Sequence, residues 1–400
     1  MIGGTLLLSI GAVSLTFGEV PYRSGLDVIA SDGFLELQGK TVGVVVNHTS
    51  LNSKKVHLIK LTHEAGINIA AVFTPEHGFK GIAAAGEKVE DGKEPLSGAP
   101  IFSLYGKNRK PSEEMLAGID VLVFDLQDIG VRYYTYLSTL TLVMEAAAEQ
   151  KIPLIVLDRV NPLLHTVQGP VLDSEYASFV GMHPIPVLHG MSLGELAMMI
   201  NGEGWLKNEL HAELTVIPYN GKVDKKVLKN AFDPTPSPNM PNLETAWLYQ
   251  GLCLLEGTNI SEGRGTDSPF MLIGAPWLDA DLVLEKLEST RHPQDVIAIT
   301  QFTPEILPHA KYPKYAGEEC YGFKIGYLKE PLKWTVHFLA AVHTLHPQQF
   351  RFLESQFIDK LYGSDRLRLS IKEGTVNQYL VEDEAFLSHF ITLRNTYQIY

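Results

Sequence analysis

Cysteine is scarce in this chain: two residues in 400, Cys253 and Cys320, far apart and in no CxxC pair. That excludes a zinc knuckle and a disulfide framework. Two buried free thiols are the expectation, ahead of a single bridge. Basic residues are outnumbered, with 33 Lys and Arg against 46 Asp and Glu. The net charge of −13 argues against nucleic acid or an anionic membrane surface as partner. Long apolar runs are missing except at Ile2–Gly18. That stretch is too short and glycine-rich for a membrane span. It reads as the apolar core of a secretory leader over residues 1–21, although no Lys or Arg precedes it; the protein is therefore expected to be exported. No G-x-G-x-x-G follows a strand and no Walker A lysine occurs, which argues against NAD, FAD or ATP and leaves no cofactor to expect. Serine and cysteine lack an evident catalytic setting, so an esterase or amidase has little support.

What is present is ordinary soluble material, 45% apolar and 20% charged, in a chain long enough for two domains. The first half alternates. KTVGVVVN (40–47), INIAAVFT (67–74), IDVLVFDLQD (119–128) and IPLIVLD (152–158) read as buried strands. Between them, 53–66, 112–118 and 136–150 carry helical spacing, with a capping-box pattern at Ser112 and a stop at Gly66. This predicts the α/β class: a Rossmann-like, mostly parallel sheet with helices on both faces. FDPTPSPNMPN (232–242) holds four prolines and cannot be regular structure. The domain boundary is placed beside it, giving a Rossmann-like domain over 22–243 and a smaller α+β domain over 244–400.

Parallel sheets bind ligands beyond the carboxyl ends of their strands. Here every exit is polar: Asn47-His48, Glu76-His77, Asp125-Leu126-Gln127-Asp128 and Asp158-Arg159. Pro75 and Gly78 bracket Glu76 and His77 in a rigid turn. A carboxyl held there against apolar residues has the raised pKa that a general acid needs. The plainer alternatives are a helix cap or a pair with Lys80. Asp125 and Asp128 are candidate second carboxylates, because glycoside hydrolysis takes two. The tyrosines of VRYYTY (131–136), Tyr134 among them, suit a sugar ring, and Arg132 suits an anionic substituent. Glu256, Glu262, Arg264 and Asp267 lie in the glycine-rich stretch EGTNISEGRGTDSPF (256–270), an irregular loop of the kind that often carries function, or else a solvated turn. His48, His77, Asp125 and Asp128 lack metal-ligand spacing, so no metal is expected.

Taken together, NHTS, FTPEHGFKG, AGEKVEDG, FDLQDIGVRYYTYLST, LDRVNPL, HGMSLGELA, PSPNMPNLETA, CLLEGTNISEGRGTDSPFMLIGAPW and KYAGEEC occur in an order that resembles the exo-β-N-acetylmuramidase (NamZ-type) family, from about residue 25 to about 361. The resemblance implies a bacterial glycoside hydrolase that releases N-acetylmuramic acid from the non-reducing end of peptidoglycan fragments. Its site would lie in a cleft between a Rossmann-like and a smaller domain. The motif's glutamate, Glu76, would be catalytic. Asn47, His48, His77, Gln127, Arg132, Tyr134, Arg159, Asn239, Glu262 and Arg264 are carried over as substrate-binding positions, with Arg132 or Arg264 holding the lactyl carboxylate. Two departures stand out. Val160 replaces a proline, and Leu188 replaces an arginine before His189-Gly190-Met191, which puts substrate preference in question. A different hydrolase or a non-catalytic cell-wall-sugar binder on the same fold are the competing readings.

Overall fold

The structure, a computed structural model, describes residues 20–84, 87 and 92–400. Apart from Val20 and Pro21, the leader reading falls outside the described residues, as does most of AGEKVEDG. In chain order the strands of the first half are β1 (Thr41–Val46), β2 (Asn68–Thr74), β3 (Gly92–Lys93), β4 (Pro100–Ser103), β5 (Val121–Asp125) and β6 (Leu154–Leu157). A hairpin of β7 (Gln168–Val171) and β8 (Pro186–Leu188) follows, and then β9 (Leu214–Ile217). Seven of these form one sheet in the order β3-β4-β2-β1-β5-β6-β9. All neighbours run parallel except β3 with β4. The chain starts at β1, moves out to β4, then crosses back to β5 on the other side of β1. The sheet's topological switch therefore lies between β1 and β5.

Side-chain alternation divides the core in two, as a two-residue period requires. Val42, Val44 and Val46 of β1, with Val121 and Val123 of β5, face one cluster with helix Gly25–Ser31 and helix Leu58–Glu64. Val45, Leu122 and Phe124 face the other, with helices Tyr136–Gln150 and Leu193–Gly202. This second cluster continues without a break across residue 243. It takes in Ala246 and Leu252 of helix Leu243–Leu252, Phe338 of helix Pro331–Leu345, and Ile273 and Phe323. These last two lie on β10 (Leu272–Ala275) and β12 (Cys320–Tyr327), which form an antiparallel sheet with β11 (Val296–Phe302) in the order β10-β12-β11. Cys253 and Cys320 are free and buried.

Two expected elements are shorter than their patterns suggest. The helix expected over 53–66 starts only at Leu58. The Asn52 carboxamide accepts from Lys54 N and Val56 N, so it holds a turn that competes with helix; His57 Nδ1 then caps Ile59 N. The third strand ends at Asp125 and does not reach Asp128. There the Asp125 carbonyl accepts from Ser50 Oγ at 2.5 Å and Gln127 N donates to Thr49 Oγ1 at 3.2 Å. Side chains thus replace the strand ladder.

Candidate active site

The exit of β2 is a tight turn. Gly78 N donates to the Pro75 carbonyl at 3.0 Å, and His77 takes a left-handed φ of 70°, a conformation that costs a non-glycine residue about 1 kcal/mol or more. Its ring restrains it: Nδ1 lies 2.7 Å from the Ala83 carbonyl and so carries the proton. Burial holds the imidazole below its ordinary pKa, against the opposing charge of Glu76, leaving it neutral with Nε2 as acceptor. The turn ends at Gly81, where a Cβ would stand 1.9 Å from the His48 ring; only glycine fits. Glu76 is left half-buried. Thr135 Oγ1 donates to its Oε2 at 2.9 Å, and the Tyr105 hydroxyl also bonds its carboxylate. Burial first, and then the charge of Glu76, push the Tyr105 pKa up, so this phenol stays a donor.

Glu76 and His77 line a cavity of about 440 Å³, within the range of small-ligand sites. It opens on the seam between the parallel sheet and the C-terminal part. Tyr133 to Tyr136 form one side, Ser237 and Asn239 come from the proline-rich loop, and Glu256, Arg264 and Phe270 face them. Phe179 and Arg109 also line it, with the Arg109 guanidinium 4.5 Å above the Phe179 ring. Lys360 of helix Phe357–Tyr362 completes the lining.

The proline-rich loop is irregular, as its composition requires, but it is fixed in place. His48 Nε2 lies 2.7 Å from the Thr235 carbonyl, and Tyr136 OH donates to the Pro236 carbonyl at 3.0 Å. Asn47 Nδ2 donates in turn to Tyr136 OH at 2.8 Å. Asn47 and His48 thus support the wall from behind and do not line the cavity. Tyr134 does line it, edge-on to Tyr136 at 4.7 Å. Asn239, 3% exposed, has no described group within hydrogen-bond distance of either Oδ1 or Nδ2. Two amide atoms buried in this way are costly unless a ligand meets them.

The loop over 256–270 holds an ionic chain. Arg264 Nη2 donates to Glu256 Oε1 at 2.7 Å, Arg264 Nε lies 3.5 Å from Glu262 Oε1, and Lys314 Nζ donates to Glu262 Oε2 at 2.9 Å. Burial alone would raise the Glu262 pKa, but Lys314 and Arg264 outweigh it and keep this carboxylate ionised. Arg264, stacked 5.1 Å from the Phe270 ring, meets carboxylates of its own chain. Glu262 sits behind it, outside the lining.

Several expected site positions lie away from this cavity. Asp125, expected as a second carboxylate, is fully buried and forms a two-point ion pair with Arg159, at 2.5 and 2.9 Å. Asp128 is also buried and absent from the lining; Gly130 N donates to its Oδ1 at 2.6 Å. Arg132, expected to bind an anionic group, is 1% exposed. Its guanidinium donates to the carbonyls of Pro170, Ile185, Leu361 and Tyr362. Gln127 and Arg159 border a separate hollow of about 360 Å³ with Tyr22 and Asp27. Leu188, where the resemblance has arginine, is fully buried in the core, so that departure does not touch the cavity. Tyr105, Arg109, Thr135, Phe179 and Lys360 line it without being singled out by the sequence, whereas Glu256 is noted there only as part of the glycine-rich stretch. Glu256 alone carried a signal, its place at the head of the glycine-rich stretch.

A parallel sheet whose second-strand exit places a carboxylate in a cavity beyond the carboxyl ends of its strands belongs to the α/β proteins that bind ligands at that edge. Within that class, the chain belongs to the exo-β-N-acetylmuramidase NamZ family, whose N-terminal model matches residues 42–244 and whose C-terminal model matches residues 247–400. It is 39% identical over 391 residues to the peptidoglycan β-N-acetylmuramidase NamZ of Bacillus subtilis (strain 168), covering 94% of this chain and 91% of that one. Two crystal structures of DUF1343 family proteins from Bacteroides fragilis NCTC 9343 are similar. Their TM-scores are 0.79 and 0.83 and their identities 32% and 30%, and each match spans 95% of this chain and 99% of the other.

Proposed function

We propose that this protein is an exo-acting β-N-acetylmuramidase that releases N-acetylmuramic acid from peptidoglycan-derived saccharides, with Glu76 as general acid. The observation that carries this reading is the setting of Glu76: half-buried, facing the cavity, and gripped by the hydroxyls of Thr135 and Tyr105. A carboxyl so placed delivers its proton to the glycosidic oxygen, and the bonding electrons leave with the aglycone; water then adds to the anomeric carbon, and its proton passes to a carboxylate of the pair. Glu256 replaces Asp125 and Asp128 as the second carboxylate. It pairs with Arg264 at 2.7 Å, and as a carboxylate in the lining it is placed to stabilise a developing oxocarbenium charge. Asn239 supplies a donor and an acceptor for the sugar's polar substituents. The apolar stretch at residues 2–18 supports export as part of the same reading, so the peptidoglycan would be met outside the cytoplasm; fractionation with an antibody to the protein tests that.

The enzymatic test uses a chromogenic β-N-acetylmuramide. Wild type releases the chromogen, and Glu76→Gln, which keeps shape and hydrogen bonding, loses about 10²–10⁴ in kcat. Equal release by both proteins sinks the assignment of Glu76. Binding without release by the wild type favours a sugar-binding protein.

A further inference from the structure

We propose that Arg109, laid on Phe179, together with Lys360 binds a carboxylate on the substrate and so sets a preference for an acidic sugar. The proposal rests on the muramidase reading and deepens it. Among the described residues, three cations line the cavity: Arg109, Lys360 and Arg264. Arg264 is matched by Glu256 and Glu262, so an arriving anion would have to compete with two carboxylates already in place. Arg132, the other arginine near this wall, spends its guanidinium on four backbone carbonyls. Arg109 and Lys360 form no ion pair with any described residue.

Arg109 is oriented all the same. Phe179 sits in a turn closed by reciprocal hydrogen bonds between Ser178 and Gly181, at 2.8 and 3.0 Å. The turn presents the ring to the guanidinium on one face and to Tyr105 at 6.0 Å. A guanidinium stacked by its face keeps its edge N–H groups for a planar acceptor, which is the geometry of bidentate carboxylate recognition. Tyr105 bonds Glu76, so this cation stands one side chain away from the proposed acid. Lys360 reaches the same cavity from the last helical turn of Phe357–Tyr362, as a point charge with no directional demand. The two cations come from distant parts of the chain and line the same cavity. A muramyl sugar bears a lactyl ether carboxylate; the corresponding glucosaminide does not.

The test compares a chromogenic β-N-acetylmuramide with its lactyl methyl ester, which removes the charge and adds one methyl group. The proteins are wild type, Arg109→Gln and Lys360→Gln. Wild type is expected to favour the acid over the ester by about tenfold or more in kcat/KM. Arg109→Gln should lose roughly thirtyfold on the acid, mostly through KM, and stay within about threefold of wild type on the ester, so the preference collapses. Lys360→Gln should show a smaller loss of the same pattern. A merely structural role would lower acid and ester alike, and that result overturns the proposal. So does a wild type that turns over both substrates equally. Release from neither substrate by wild type rejects the muramidase reading itself, an outcome distinct from the loss of charge preference alone.

Discussion

The cavity concentrates side chains whose polar atoms the fold itself does not use. Asn239 is the clearest. It is buried, and nothing described in the protein answers either end of its amide. A residue kept in that state lowers the stability of the free enzyme and is repaid only when ligand binds. Asn239→Leu, close in volume, should therefore melt at the wild-type temperature or slightly above, while kcat/KM on a muramide falls by about thirtyfold or more. Thermal melts and initial rates on one preparation check this; a joint fall in both would make the amide a structural support. His77 shows the same economy from the opposite direction. Its strained backbone and buried ring hold the Glu76 turn, and the turn's sequence, proline before and glycine after, was readable in advance. The sequence did not reveal that Thr135 and Tyr105 would grip Glu76, because the three residues meet only through the β2–β4 loops and the start of a distant helix.

At the level of elements, the parallel strands and helix Tyr136–Gln150 were legible because burial and alternation are written in local pattern. Polar strand exits were legible too, but their meaning was not. The exits of β1, β5 and β6 carry Asn47, Asp125 and Arg159; Asn47 bonds Tyr136, and Arg159 pairs with Asp125 beside the separate hollow that Arg159 borders. Only the β2 exit opens onto the cavity. A carboxylate plugging a crevice and one lining it look alike in sequence, since the difference lies in which arginine arrives from thirty or more residues away. Asp128, at the β5 exit, gives this a measurable form. Burial pushes its pKa up to about 7, against the backbone N–H groups of Gly130 and Ile129. The folded state therefore holds this proton more tightly than the unfolded chain does. The associated stability is fully present below about pH 4. It is lost as pH rises towards 7, where the folded carboxyl also ionises. Asp128→Asn removes that slope, so its stability relative to wild type should improve from pH 4 to pH 8. Urea midpoints across the range check the direction.

On the scale of the whole molecule, the two parts share one hydrophobic cluster and one buried guanidinium. Arg132 ties β7 and the segment before β8 to the end of helix Phe357–Tyr362 through four carbonyls. Arg132→Met removes the charge but leaves those carbonyls buried without donors, so a loss of order 3–5 kcal/mol is expected, read as a lowered urea midpoint. Because Lys360 sits in that same helix, surviving protein should also bind muramides more weakly. The clamp also bears on biosynthesis. Chains fold from the N-terminal end as they emerge, and the sheet with its Glu76 turn is complete long before residue 360 is made. The wall that carries Phe357 and Lys360 arrives last and is fastened only when Arg132 finds Leu361 and Tyr362. A nascent or truncated chain can thus present the acid without the pocket, and the finished cavity marks a chain synthesised past Tyr362.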